Sequence, residues 1–435
     1  MRARVPRLAT ACLAAAVLGM AVACARERDA RGVEVTVSGS ALGAEGEILR
    51  RQAARFSALH PDIRVRVQPT PDDATQRHQL YVQWLNARAG DPDILQLDVV
   101  WTAEFAAAGW ILPLDRYAPD TAAFFDATIA ANRWAGRLYA LPWFVDAGML
   151  YWRTDLLDHA PATMAELHAM ARTASAPAGP PRAGIVWQGA RYEGLITVFL
   201  EYLTAFGGRI MTDDARVVVD SPEAARALTT MRDEIGTIAP PEVLTWHEEE
   251  TRFAFQNGDA ALMRNWPYAY ALMNDSTQSR VAGRYAVAPI PPAPGGEPAA
   301  ALGGAQLAVN AHSDVPDAAY AVIAYLTAPA QMLERAEVAG QFPTRRALFD
   351  DQRLARALAI PVDQARAVLE RTVPRPVTPI YSQLSELLQI QLHRALTRQA
   401  TPDAALRTAA AQMNALVERT RVRELTAGAG APEGR

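Results

Sequence analysis

The residues able to do chemistry in this chain are scattered, and most arrangements that would support catalysis are missing. Seven histidines occur without an HExxH spacing or a Cys/His cluster, so the pattern argues against a metal site. His247 stands beside Glu248-Glu249-Glu250, which reads more simply as an acidic helix start than as a ligand group. All 43 basic residues are arginine. Without lysine there is no Schiff base, no pyridoxal anchor and no Walker-type phosphate loop. No Gly-x-Ser-x-Gly elbow or glycine-rich dinucleotide fingerprint is present, and nothing nominates a nucleophile or a cofactor. Net charge is −4 with arginines and acids interspersed, which gives no basic patch for nucleic acid.

What does recur is aromatic side chains among polar ones. Nine tryptophans include Trp101 near Asp98, Trp143 near Asp146, Trp187 beside Gln188, Trp246 ahead of an acidic run, and the segment Arg264-Asn265-Trp266-Pro267-Tyr268. A polyhydroxylated ring presents C–H faces and a hydroxyl rim. Flat aromatic faces cover the first, while carboxylate, amide and guanidinium groups hydrogen-bond the second.

The elements that must position these groups follow from periodicity. Val33 to Val37 alternates as a strand, and Glu45 to Leu59 carries Leu49, Ala53, Phe56 and Leu59 on one helical face. His60-Pro61 ends that helix, since the residue before proline resists helical geometry. A strand at 63–67, a helix from Gln76 to Ala89 and a strand at 93–98 continue the alternation, which predicts a parallel α/β lobe. Ligands of such sheets sit beyond the carboxyl ends of the strands, where Ser38-Gly39 and Asp98 fall. Crossings between two lobes are expected within Leu138 to Trp152 and near Leu302-Gly303-Gly304. Ser221-Pro222-Glu223 is a capped helix start running to Ile235. Further helices are expected at 163–173, 316–326 and 404–423, and the tail 427–435 reads as disordered.

Arg2, Arg4 and Arg7 precede the apolar run Leu8 to Val22, too short for a comfortable membrane span and followed at once by polar residues. This reads as a cleaved secretory signal. Ala21-Val22-Ala23-Cys24 resembles a bacterial lipobox with Ala21 at the position where leucine is usual, making Cys24 the expected lipidated residue. Cys12 and Cys24 are the only cysteines, so after cleavage no intramolecular disulfide is possible and stability rests on the core.

Ordered motifs then identify a family. Asp91-Pro-Asp-Ile-Leu-Gln-Leu-Asp98-Val-Val-Trp101, Ala108-Gly-Trp-Ile-Leu-Pro-Leu-Asp115 and Gly136-Arg-Leu-Tyr-Ala-Leu-Pro142 come first. Phe255-Gln-Asn-Gly-Asp259, Met263-Arg-Asn-Trp-Pro-Tyr268 and Val373-Pro-Arg-Pro376 follow. From about Val33 to Arg419 the chain resembles the extracellular solute-binding proteins of the maltose-binding type, closest to the trehalose/maltose branch. The resemblance implies a two-lobe, hinge-linked α/β fold of the periplasmic-binding-protein type II class, closing over ligand. It implies the substrate-binding component of an ABC sugar importer, monomeric, delivering its ligand to membrane permease subunits. The implied organisation is a signal at 1–23, an anchored linker at 24–32 and an N-lobe at 33–142. A C-lobe at 143–300, a return to the N-lobe at 301–345, and C-lobe and hinge helices at 346–425 follow.

Carried over by position, the implied ligand set is Glu45, Arg77, Asp98, Phe144, Asp146, Glu248, Trp266, Tyr268, Gly304 and Arg375. Two positions depart from the branch. Phe144 lacks the tyrosine hydroxyl often found there, and Ala305 stands where a tryptophan can follow the paired glycines. Trp143, Trp187 or Trp110 are candidates to refill that space. Two rival readings remain at this stage: a glycoside hydrolase using Asp98, Asp146 and Glu248, and a glycerophosphodiester binder using Arg77 and Arg375.

Overall fold

The computed structural model describes residues 32–40, 44–175, 181–212, 214–358 and 362–420. The expected signal, Cys24 and the C-terminal tail lie outside them. The strands in chain order are β1 (Val33–Ser40), β2 (Ile63–Thr70), β3 (Ile94–Asp98), β4 (Arg133–Trp134), β5 (Arg137–Leu138), β6 (Ala140–Ala147) and β7 (Met149–Arg153). β8 (Ala183–Val186), β9 (Ala260–Asn265), β10 (Tyr285–Ala288), β11 (Ala300–Val309), β12 (Phe342–Pro343) and β13 (Thr372–Val373) follow.

One sheet runs β12-β6-β11-β3-β1-β2, with β13 beside β11. A second runs β10-β7-β9-β8. β1 pairs in parallel with both β2 and β3, as the alternation predicts. The first sheet is nonetheless mixed, because β11 lies antiparallel to both β3 and β6. Strands that arrive by a crossing from the other lobe need no βα return, so their direction is free of the right-handed crossover rule that made the first three parallel.

The chain passes between the sheets at Gly148. β6 ends in the first sheet at Ala147 and β7 begins in the second at Met149. An N-lobe boundary at 142 therefore cuts β6 too early: Val145 and Ala147 still pair with β11. The apolar run through 143–147 is continuous with the sheet, and the glycine rather than the aromatic pair marks the crossing. The Gly148 amide donates to the Ala301 carbonyl at 3.2 Å, which ties this crossing to the start of β11. The third strand at the crossing is β13, which pairs with Ala300 and Ala301 before the chain leaves for the helix Tyr381–Leu396.

Local sequence explains the main helices. In Glu45–Leu59 the buried face carries Ile48, Leu49, Ala53 and Phe56. The helix Pro222–Glu234 opens on Ser221, whose hydroxyl accepts from the Ala224 amide at 3.2 Å. The helix after β2 starts at Ala74, two residues before the expected start, because the Asp73 side chain caps it by accepting from Gln76. Glu193–Ala205 is buried along almost its whole length, including Glu193 and Glu201.

Candidate functional site

The cleft between the two sheets is lined by all ten residues nominated from the sequence. Glu45 opens its helix, Asp98 ends β3, and Phe144 and Asp146 lie two apart on β6 and so share a face. Glu248 opens the helix Glu248–Gln256, and Trp266 and Tyr268 follow β9. Gly304 lies in β11, while Arg77 and Arg375 come from a helix and from the loop after β13.

Ionic and hydrogen bonds hold these groups in place. Arg375 donates to Asp98 and to Glu193, each at 2.7 Å. Glu193 also accepts from the Tyr381 and Ser385 hydroxyls. Arg77 directs Nη1 to the Pro71 and Asp72 carbonyls and sets its guanidinium 5.5 Å from the Trp101 ring centre. The Trp266 indole donates to Glu248 at 3.3 Å, and its ring rests 4.1 Å from the Arg264 guanidinium. Tyr268 donates its hydroxyl to Glu249 at 2.7 Å. Gly303 and Gly304 bring β11 close: a Cβ at Gly303 would lie 2.9 Å from Trp266, and at Gly304, where φ is +114°, 2.3 Å from the Phe144 carbonyl.

Among the described residues of the cleft, the buried polar atoms left unpaired are Asp146 Oδ1, Arg77 Nε, Arg375 Nε and the Tyr192 hydroxyl. Burial raises the Asp146 carboxyl to about 8, with Glu45 and Asp98 adding to the rise and Arg335 and Arg264 opposing it. Burial also raises Glu45, against Arg335 and Arg77, and raises Glu248, against Arg264 and the hydrogen bond from the Trp266 indole. Withdrawn carboxylates of this kind gain much from a donor that arrives with the ligand.

Several aromatic expectations fail. Of the five tryptophans picked out beside polar residues, only Trp266 lines the cleft. Trp187 is fully buried and donates to Glu234 at 2.9 Å, and Trp143 is buried under Arg335. Trp101 and Trp110 pack around Phe105, and Trp246 packs against the core of its lobe. None of Trp143, Trp187 or Trp110 refills the space beside Ala305. A large aromatic next to one polar residue is as well served by core packing with a single indole hydrogen bond, which is what Trp187 does. The cleft instead takes Tyr192 as a further ring and Ser40, Asp72, Gln96, Glu193 and Thr197 as further polar residues. Tyr192-Glu193-Gly194 carried a signal that periodicity leaves unused: a glutamate in the first turn of a mostly apolar helix.

Residues 40–333 match the bacterial extracellular solute-binding protein family, and the chain belongs to that family. A probable ABC transporter-binding protein of Deinococcus radiodurans is 37% identical over 411 residues, which is 92% of this chain and 97% of the relative. The structure of maltose-bound T. maritima MalE3 superposes with a TM-score of 0.85 at 42% identity, over 88% of this chain and 100% of that one. An ABC transporter solute-binding protein of Thermotoga lettingae bound to α-D-tagatose gives a TM-score of 0.79 at 24% identity, covering 89% and 100%, and attests the two-lobe fold. This chain is a solute-binding protein of ABC importers, of the exported, extracellular type.

Proposed function

We propose that the cleft captures a disaccharide of the maltose or trehalose type and delivers it to the permease subunits of an ABC importer. The observation that carries this reading is the pairing of acceptor-rich carboxylates with the ring faces of Phe144, Trp266, Tyr268 and Tyr192 around one cleft. A neutral ligand rich in hydroxyl donors suits Asp146, Glu45 and Glu248; an anion does not. The two arginines that a phosphodiester would need are tied into the protein, Arg375 to two carboxylates and Arg77 to backbone carbonyls. A relative at 42% identity is maltose-bound, which supports the same ligand class here.

The ligand is bound and not cleaved. Closure follows from its greater affinity for the closed lobes. A micromolar affinity, about −8 kcal/mol, is within reach of several charge-assisted hydrogen bonds and one or two covered rings. Cys24 carries the lipid that holds the protein at the membrane, and the chain acts as a monomer. A thermal-shift panel tests the ligand class, because only a ligand that favours the native state raises its melting temperature. Maltose or trehalose is expected to raise it, and glycerophosphodiesters are expected to leave it unchanged. The reverse result would replace the sugar reading. Release of free glucose from maltose by the pure protein would overturn binding without cleavage.

A further inference from the structure

We infer, building on the proposed sugar cleft, that Glu193 is a positioning residue: it draws one arm of Arg375 away from Asp98 and so leaves one Asp98 oxygen open to the ligand.

Glu193 opens the helix Glu193–Ala205, which follows β8 of the second sheet, whereas Asp98 ends β3 of the first. Arg375 lies between them on the segment that leaves β13. Its Nη1 donates to Glu193 Oε1 and its Nη2 to Asp98 Oδ1, each at 2.7 Å. The arginine side chain is 2% exposed and the two carboxylates 10% and 15%, so solvent screens neither bond strongly.

Glu193 is itself held from a third side. The Tyr381 hydroxyl donates to Oε1 and the Ser385 hydroxyl to Oε2, from positions one turn apart on the helix Tyr381–Leu396. Gln389, a further turn along, donates to the Ser385 hydroxyl at 2.9 Å. The Glu193 backbone amide donates to Thr75 Oγ1 at 3.3 Å, on the helix that follows β2. Both Glu193 oxygens are therefore engaged by the protein, and its effect on a ligand passes through Arg375.

The consequence falls on Asp98. Its Oδ1 accepts from Arg375 and, at 3.3 Å, from the Val100 amide, while Oδ2 accepts no hydrogen bond among the described residues. An arginine with one carboxylate in reach tends to grip both of its oxygens, fork to fork. Here the second arm is spent on Glu193, so Asp98 is fixed by one oxygen and keeps the other for a sugar hydroxyl in the cleft it lines. Remove the Glu193 acceptor, and the guanidinium is free to turn and close both Asp98 oxygens.

The test compares Glu193→Met, which removes the acceptor, with Glu193→Gln, which keeps a carbonyl in its place. Crystals of the unliganded Glu193→Met protein are expected to show Arg375 paired with both Asp98 oxygens. Calorimetry with maltose or trehalose is expected to give about tenfold weaker binding for Glu193→Met, with Glu193→Gln recovering most of the loss. In an Asp98→Asn background, where the side chain has a single acceptor oxygen to close, Glu193→Met is expected to cost less than about twofold. Glu193→Ser, which leaves room for water at Tyr381 and Ser385, replaces the methionine variant if that one does not fold. An Arg375 that stays in place with Asp98 Oδ2 open overturns the inference. So do losses that add fully with Asp98→Asn, which mark a packing role alone. If the native protein binds neither sugar, the ligand reading fails, and the crystals still decide whether Glu193 sets the Arg375 orientation.

Discussion

Glu201 and Arg264 form a bidentate ion pair sealed from solvent, with the Trp266 ring on one side and the hinge backbone on the other. Arg264 Nε donates to Glu201 at 2.8 Å, and both side chains are at most 1% exposed. Glu201 Oε1 also accepts from the Ala301 amide at 3.1 Å, at the point where β11 meets the crossing. A Cβ on Gly148 would lie 1.7 Å from that same oxygen. The pair thus joins the Trp266 ring of the cleft to the strands of the crossing at Gly148 and Ala301.

Breaking this pair is expected to be expensive, because it leaves one buried charge alone. Glu201→Gln should lower stability by about 3–5 kcal/mol in denaturant titrations, the usual cost of stripping one partner from a buried pair. A loss below about 1 kcal/mol would mean the pair is solvated, against its burial here.

Trp266 is expected to supply the main ring contact. Trp266→Ala should weaken maltose or trehalose binding by about 100-fold, from lost apolar cover and lost ring contact, with circular dichroism unchanged. Above pH 8, where its raised carboxyl is ionised, Asp146→Asn should cost about 10- to 100-fold, because it replaces a charged acceptor whose Oδ1 has no protein partner with a neutral one. Calorimetry reads both, and native affinity in both variants would misplace the pocket.

Gly303 holds β11 against the Trp266 ring. Gly303→Ala places a methyl 2.9 Å from the indole edge and should tilt the ring off the ligand. About tenfold weaker binding is expected, consistent with the loss of about 1–1.5 kcal/mol of ring contact.

His247 and Asp73 join the two lobes across the cleft mouth, with Nε2 3.3 Å from the carboxylate. The hydrogen bond to Asp73 raises the His247 pKa against partial burial, with Glu248 and Glu250 adding to the rise. Burial would raise Asp73, but His247 and the Gln76 and Thr75 amides bring it below its ordinary value. The sign follows: His247 favours closure fully below its ordinary pKa and loses that contribution as pH rises through the raised one. Asp73 contributes above its ordinary pKa and loses that contribution as pH falls through the lowered one. The His247–Asp73 contribution to ligand affinity should therefore fall by about two- to fivefold from mildly acidic to alkaline pH, and His247→Ala should remove that fall. A pH dependence unchanged by that substitution would assign it to other groups.

Much of this was readable in the chain itself, and the failures have physical causes. The helices 45–59 and 222–234 announce themselves by apolar spacing and by a serine–proline start, both local signals. The ten cleft residues were reached through ordered motifs, since no local rule links Asp98 to Arg375 across 277 positions. Glu193 escaped notice for the same reason: its partner Arg375 lies 182 positions away. Trp143 and Trp187 misled because sequence proximity to a polar residue does not say which face of a strand it occupies. The lobe boundary at 142 fell short of the end of β6 at Ala147 because an apolar stretch does not reveal which of two sheets it joins.

A crystal structure grown with maltose or trehalose is the most direct measurement of the central claim. The expected result is a sugar ring against Trp266, with a hydroxyl within hydrogen-bond distance of Asp146 Oδ1. Density instead in the apolar depression lined by Phe125, Phe349, Leu302 and Leu369, with the interlobe cleft left to solvent, would contradict it.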